Sequence, residues 1–328
     1  MAARLQARVT VRVRPFAERD HAAFARIRST GEGEPTTPEE SRARDADWDW
    51  SRYERVRVVA VDEEDAPLGY GEIYQEPTRF DPRRYDTHLA VDLRMRRRGI
   101  GELIWRHLLA ELRERAALGA YVWARDATAG ARFVSQRGFH EVIRWYAQVR
   151  AVATAPLPTP AQDERLARAG VRIATLAELA RDDPNALEKA HETYFASRLD
   201  QATLGRVTPT PFTEWRRAHI DSPSALLDAY FIAIADRRFV GQSASSRSRS
   251  DDVLAVDVTG VLPAYRRRGI ARSLKLRLHA YARANGYTEL HTRTARENAA
   301  MVALNTSLGY PVVESYAGYE LVLTPSSP

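Results

Sequence analysis

An arginine-glycine turn in the second half of the chain holds the residues whose types and spacing are best suited to chemistry. It reads Val261-Leu262-Pro263-Ala264-Tyr265-Arg266-Arg267-Arg268-Gly269-Ile270-Ala271, followed directly by Arg272 and Ser273. Glycine at 269 removes the Cβ that would hold an anion away from the backbone. Residue 271 must also stay small, and alanine satisfies this. Ile270, Leu274, Leu278 and Tyr281 then fall on one helical face, so a helix opens at the turn. The first N–H groups of a helix lack intrahelical partners and lie at the positive end of its dipole, which suits them to an anion. Arg266, Arg267, Arg268 and Arg272 add charge in a fork geometry that matches phosphate oxygens, and Ser273 adds a hydroxyl donor. The chemistry to expect is capture of a phosphate-bearing ligand. No Gly-Lys-Ser/Thr follows, which excludes a P-loop, and the glycine spacing does not fit a dinucleotide fingerprint.

The turn occurs twice. Val91-Asp92-Leu93-Arg94-Met95-Arg96-Arg97-Arg98-Gly99-Ile100-Gly101 matches it at an offset of 170 positions, and Gln136-Arg137-Gly138-Phe139 answers Ser307-Leu308-Gly309-Tyr310 at an offset of 171. The elements that position the two turns repeat as well. In the first half, strands are expected over 8–13, 56–61, 68–74, 87–93, 120–124 and 139–149, with helices over 18–29, after Gly99, and over 128–136. In the second half, helices are expected over 176–199 and 211–220, strands over 230–234, 239–243 and 253–261, a helix after Gly269, then 290–294, 298–308 and 312–323. A serine-arginine stretch over 245–250 is expected to follow the strand that ends at Ser243. Thr154-Ala155-Pro156-Leu157-Pro158-Thr159-Pro160 is a semi-rigid linker. The expected organisation is therefore 1–152 and 170–328 as two domains of one kind, with 153–169 between them.

Composition narrows the function classes. At 328 residues the chain suits two domains, each large enough to bury a core without staples. It contains no cysteine, which removes disulfides, thiolate metal sites and a cysteine nucleophile and suits a cytoplasmic setting. No apolar run is long enough for a membrane span, and the eight histidines show no metal-ligand spacing, so no metal is expected. The net charge of +6 is nearly all arginine, with lysine only at Lys189 and Lys275. Acidic residues are interspersed with it, which argues for a solvated surface and against nucleic acid as a partner.

Val261-x-Pro263-x-Tyr265-Arg266-x-Arg268-Gly269-Ile270-Ala271 resembles the acetyl-CoA-binding signature of the GNAT N-acetyltransferase superfamily, and Asn298-x-x-Met301-x-x-x-Asn305-x-x-Leu308-Gly309-Tyr310 resembles the segment that follows it. Tandem two-domain members, of which mycothiol synthase is one kind, have this length. The resemblance implies an α+β (α/β) chain of two GNAT-like domains, each a mixed, mostly antiparallel sheet flanked by helices and splayed after its fourth strand. It implies that pantetheine lies along the backbone of 258–261, with the pyrophosphate on Arg268 to Arg272 and Asn298 and Asn305 near the pantetheine arm and thioester. For Asn298 a helix N-cap is an equally open reading. The implied reaction is transfer of an acetyl group from acetyl-CoA, with CoA as product, to an amine of a small molecule or peptide. A non-catalytic acyl-CoA sensor or scaffold of the same fold is the alternative.

Amine attack on a thioester needs a base, a donor to the carbonyl oxygen and an acid for the departing thiolate. Asp257, four residues before Val261, is the candidate base; pairing with an arginine is the competing reading. Many members use a tyrosine as the acid, and aligning on Gly309 puts Asn305 there, which is a departure. Tyr316 is the candidate substitute, with departure of the thiolate unaided into water as the alternative. In the first half, Thr87, Ala127 and Val134 stand where Asp257, Asn298 and Asn305 stand in the second, and Leu93 replaces the proline. Arg96, Arg98, Gly99 and Gly101 keep the phosphate turn, so this half is expected to bind CoA at most without turnover. The cluster Asp45 to Trp50 could hold a cationic amine or be a structural helix end.

Overall fold

The computed structural model describes residues 10–32 and 35–324; the expected strand residues Arg8 and Val9 lie outside them. The chain forms two compact units that interleave along the sequence. Unit 1 comprises Met1–Trp123, Arg132–His140 and Tyr319–Pro328, and unit 2 comprises Ala124–Ala131 and Glu141–Gly318.

In unit 1, β1 (Arg12–Pro15), β2 (Arg55–Val61), β3 (Pro67–Tyr74), β4 (Arg84–Val91) and β5 (Gly119–Arg125) lie side by side in chain order. All neighbours are antiparallel except β4 and β5, which are parallel because helix α3 (Ile100–Glu114) returns the chain between them. Ile104, Leu108 and Leu112 of α3 are buried on the sheet. Gly71 of β3 permits this approach, since a Cβ there would fall 2.4 Å from Ile104. Helices α1 (His21–Glu32) and α2 (Pro38–Ala46) complete the unit's N-terminal part, with Phe24 and Ile27 packed against Tyr70. Thr37 caps α2 in a reciprocal bond with Glu40.

Unit 2 repeats this plan. β7 (Val171–Thr175), β8 (Phe231–Ala235), β9 (Arg238–Arg247) and β10 (Val253–Val261) are antiparallel in chain order, and β11 (Glu289–Ala295) runs parallel to β10. β6 (His140–Ala151, in this unit from Glu141) pairs antiparallel with β11, and β12 (Val312–Val322, in this unit to Gly318) lies beyond β6. One face of the sheet packs on α9 (Ile270–Ala284) through Val240, Leu254, Val256, Leu274 and Leu278. The other packs on α6 (Leu176–Asp182), α7 (Ala186–Ala196) and α8 (Phe212–His219) through Ile232, Val258, Phe195 and Trp215. Short helices α4 (Ala129–Ser135) and α10 (Ala299–Ser307) follow β5 and β11.

Three expectations are corrected. The single helix over 176–199 is two helices, because Pro184 disfavours helical backbone at the residue before it and removes a donor. The strand expected to stop at Ser243 runs to Arg247, so the serine-arginine stretch is in part sheet: Ser245, Ser246 and Arg247 pair with Val256, Ala255 and Leu254. The span 153–169 is not wholly a linker. Residues 160–168 form α5 (Pro160–Arg168), with proline in the first turn and the Gln162 side chain accepting from Thr159 N–H, and Leu166 is buried in the α9 core.

Candidate active site

The site in unit 2 begins where two strands part. β10 and β11 pair from Val253–Glu289 to Val256–Thr292 and no further, although β10 runs on to Val261 and β11 to Ala295. Beyond Val256 the β11-facing backbone of β10 has no strand partner, and a gap opens. A cavity of about 70 Å³ occupies the gap, with Thr259, Lys275, Thr292, Thr294 and Asn298 among its walls. A second cavity, of about 190 Å³, lies against α7 and α8 and is walled by Tyr194, His219, Ser224, Tyr230, Ser245 and Ser246. Asp257 and Val258 border both.

A β-bulge places Asp257 there. Val256 pairs with Ser245 and Val258 with Ala244, so Asp257 is an extra residue in the ladder. The bulge also explains why Val256 and Val258, two apart, pack in opposite cores. In unit 1 the corresponding register runs from Tyr74–Asp86 to Gly69–Val91 without a break. Thr87 is therefore not the counterpart of Asp257; the bulge residue has none. The Asp257 carboxylate opens to solvent through the larger cavity, yet desolvation by the protein around it pushes its pKa up to about 6, and only the Ser246 hydroxyl, donating at 3.0 Å, opposes this. Among the described residues no arginine pairs with it, so the competing reading from sequence is set aside. His219, desolvated against Tyr194 and Trp215, has its pKa depressed to about 4 and is neutral near pH 7. Tyr230 donates to Gln242 at 2.6 Å and is held well above the ordinary tyrosine range by burial.

The phosphate turn keeps one conformation in both copies. Gly269 has φ +81° and Gly99 φ +83°, with Arg267 and Arg97 at +64° and +65°. Nothing lies within 4 Å of where a Cβ of Gly269 would point, so the glycine is required by its dihedral and the space above it is open. The N-cap offers no side-chain bond, and the N–H groups of Ile270, Ala271 and Arg272 precede the first intrahelical donor, Ser273, leaving an anion-binding end. The four arginines divide. Arg266 is committed to the turn: its Nε donates to Val261 O at 2.9 Å and its guanidinium pairs with Asp200. Arg96 makes the same bond to Val91 O. Arg268 donates to Ala264 O and Arg272 to Ser307 Oγ, both near the surface; Ser273 is buried in the first turn.

The downstream candidates separate. Asn298 caps α10, accepting from Met301 N–H at 3.2 Å, and also lines the gap. Asn305 lines neither cavity. It is wholly buried, its amide donating to Gln148 at 2.8 Å and Thr294 at 2.9 Å, while its Oδ1 has no hydrogen-bond partner. Tyr316 also lines neither cavity; its ring lies 5.6 Å from the Arg293 guanidinium. Sequence reasoning passed over Lys275, which is 1% exposed on α9, and His279 one turn on, whose ring nitrogens meet Pro156 O and Tyr310 Oη. The available signal was polarity on a face otherwise written by Ile270, Leu274 and Leu278.

Unit 1 fills the same places with other chemistry. Asp45 pairs with Arg55 and Arg57, and Arg55 also with the buried Glu72, whose carboxyl its charge holds below the usual range against desolvation. Trp48 packs on Tyr53 and Tyr74 past the end of α2. Asp45 and Trp48 are thus held in an internal network, while Trp50 is 58% exposed. Trp105 stands at the position of Lys275 and Phe139 at that of Tyr310, with ring centroids 5.4 Å apart. Among the described residues no group of side chains in the chain is arranged to hold a metal, and no helix is long and apolar enough to cross a membrane.

A parallel strand pair that soon parts and a glycine turn that opens a helix each occur twice, once in each unit. The model of the acetyltransferase (GNAT) family matches residues 22–139 and again 185–310, and the chain belongs to that family. No curated protein matches the sequence. Among solved structures, a GCN5-related N-acetyltransferase from Sphaerobacter thermophilus superposes with TM-score 0.70 at 17% identity, over 97% of each chain. A tandem GNAT protein from the clavulanic acid biosynthesis pathway gives 0.69 at 15% identity, over 97% of this chain and 100% of that one. A GCN5-related glucosamine N-acetyltransferase region of a fungal multi-domain enzyme gives 0.70 at 14%, over 96% of this chain but 38% of that one. At these identities the likeness extends to the fold: two GNAT domains, each a mixed sheet flanked by helices.

Proposed function

We propose that the chain is an acetyl-CoA-dependent N-acetyltransferase whose unit 2 acetylates an amine of a small molecule or peptide. The observation that carries this reading is the position of Asp257, on a bulge between a gap in the sheet and a separate polar cavity. The residues of the gap fit CoA. The open space over Gly269 and the uncapped start of α9 suit its pyrophosphate, with Arg267, Arg268 and Arg272 at hand. The unpaired edge of 257–261 suits the amides of pantetheine, and Asn298 faces the same gap. When bound, acetyl-CoA supplies the thioester that an amine attacks.

The chain's own residues supply the rest. The larger cavity binds the acceptor, with Ser224, Ser245, Ser246 and Tyr194 as polar walls and neutral His219 among them. Asp257 takes the proton of the attacking amine. A carboxylate titrating about 6 is ionised near pH 7 yet basic enough to accept it, a poise worth about 10²–10⁴ in rate. Backbone N–H groups along 257–261 are available to the thioester oxygen. Unit 1, with Trp105 and Phe139 in place of Lys275 and Tyr310 and no bulge, is assigned CoA binding without turnover or a structural part, and 153–169 the boundary of the duplication. The test is CoA release from acetyl-CoA with a panel of amines, using the full chain and Asp257→Asn. Turnover insensitive to Asp257→Asn removes the base, and absence of acetyl-CoA binding removes the reading.

A further inference from the structure

Lys275 is a cation without a counterion. It sits on α9, 1% exposed, and lines the gap between β10 and β11. Its Nζ has no hydrogen-bond or ion-pair partner among the described residues; its one contact of note is the Tyr310 ring, 5.1 Å to the centroid. Burial alone drags its pKa from 10.5 to about 8, and no carboxylate acts to restore it. The charged and titratable groups around it are of the wrong kind to neutralise it. On α9, His279 is held neutral, with its pKa pushed to about 4 mainly by burial. Tyr310 is kept protonated, pushed up beyond the ordinary range, and Arg150 lies near both. Across the gap stand Arg198 and Arg293, and Asp257, which borders the same gap, forms no ion pair with it among the described residues. An ammonium held buried and unpaired costs stability unless an anion joins it. The reading of the gap as the CoA site, on which this inference rests, provides one: the thiolate produced when the thioester is cleaved.

We propose that Lys275 receives the leaving group: its Nζ cation pairs with the sulfur as the carbonyl carbon–sulfur bond breaks and then gives it a proton. The C–N bond forms and the amine proton passes to Asp257. The electron pair of the C–S bond goes to sulfur and takes the Lys275 proton. Neutral Lys275 then regains a proton from solvent through the gap, and Asp257 returns its own. Asn305, buried and turned to Gln148 and Thr294, and Tyr316, outside both cavities, leave this role open. Position supports the assignment as well. Lys275 lies in the second turn of a helix that starts at the phosphate turn, and the gap it lines is also bordered by Val258 and Thr259 of the bulged strand. Its first-half counterpart is Trp105, against Phe139, so the half without the bulge also lacks the acid.

The test uses CoA itself and needs no acceptor. The thiol of CoA bound to the full chain is titrated by the ultraviolet absorbance of its thiolate, with binding followed separately by calorimetry. In the wild-type protein the bound thiol should carry at least about tenfold more thiolate at neutral pH than free CoA, as an unpaired cation close by requires. Lys275→Met should bind CoA and lose that excess; Lys275→Arg, which keeps a charge, should retain most of it. Met fits a buried, flexible site, and the Arg variant answers the question if Met does not fold. A bound thiol that titrates as free CoA does, or one whose shift survives Lys275→Met, overturns the assignment. A wild-type protein that binds no CoA overturns the functional reading beneath it.

Discussion

A lysine kept for its proton at the expense of packing makes a stability prediction that needs no substrate. Lys275 is fully buried, and its pKa falls from 10.5 to about 8 through desolvation alone. At about 1.4 kcal/mol per unit, the charged side chain costs the folded state roughly 3 kcal/mol near neutral pH. The Tyr310 ring returns on the order of 1 kcal/mol of this. Lys275→Met keeps the volume and removes the charge, so unit 2 should gain roughly 2 kcal/mol, or about 4–8 °C in Tm for a unit of this size. The sign of the pH dependence is fixed. Between pH 8 and 10.5 the unfolded chain holds the Lys275 proton and the folded chain does not, so wild-type stability rises with pH across that window. The Met variant should lack this rise. Calorimetric unfolding of both proteins at several pH values through the window measures the difference. If Lys275→Met is destabilising, or both proteins share the same slope there, the ammonium is not unpaired and the reasoning fails.

Three further outcomes follow from the site. Asp257→Asn should cut acetyl transfer by about 10²–10⁴ while leaving acetyl-CoA affinity intact. In the wild type kcat/KM should rise with pH through about 6 as the carboxylate loses its proton, and a pH–rate profile without that limb would exclude it as the base. Gly269→Gln puts a side chain on a φ of +81° and into the open space above the helix start. Strain of about 1–3 kcal/mol and occlusion together should weaken acetyl-CoA binding by calorimetry. Gly99→Gln should leave turnover unchanged, and its loss there would move catalysis to unit 1. Asn305→Leu removes the amide that Gln148 and Thr294 accept from. It should lower stability by about 1–3 kcal/mol with little change in acetyl-CoA affinity, whereas lost affinity at full stability would return Asn305 to the cofactor.

The sequence by itself determined the duplication, the order of elements and the phosphate turn. These features are local: a glycine forced to positive φ, an apolar helical stripe and a strand pattern are each written in adjacent residues, and two copies in register remove chance. It also made Asp257 the candidate base, though for want of the ladder it paired that residue with Thr87. A bulge is a relation between two strands, and only the pairing of β9 with β10 reveals the extra residue that turns Asp257 to face both cavities. The same limit applied to the acid. Asn305 occupies the family's position along the chain, but its amide donates to Gln148 and Thr294, 157 and 11 positions away, and these bonds turn it from the gap. Lys275 looked like one more charge on a helix. Whether a cation is solvated or stranded depends on what packs around it, and tertiary structure alone decided that this one is buried, with no ion pair among the described residues, at the gap between β10 and β11.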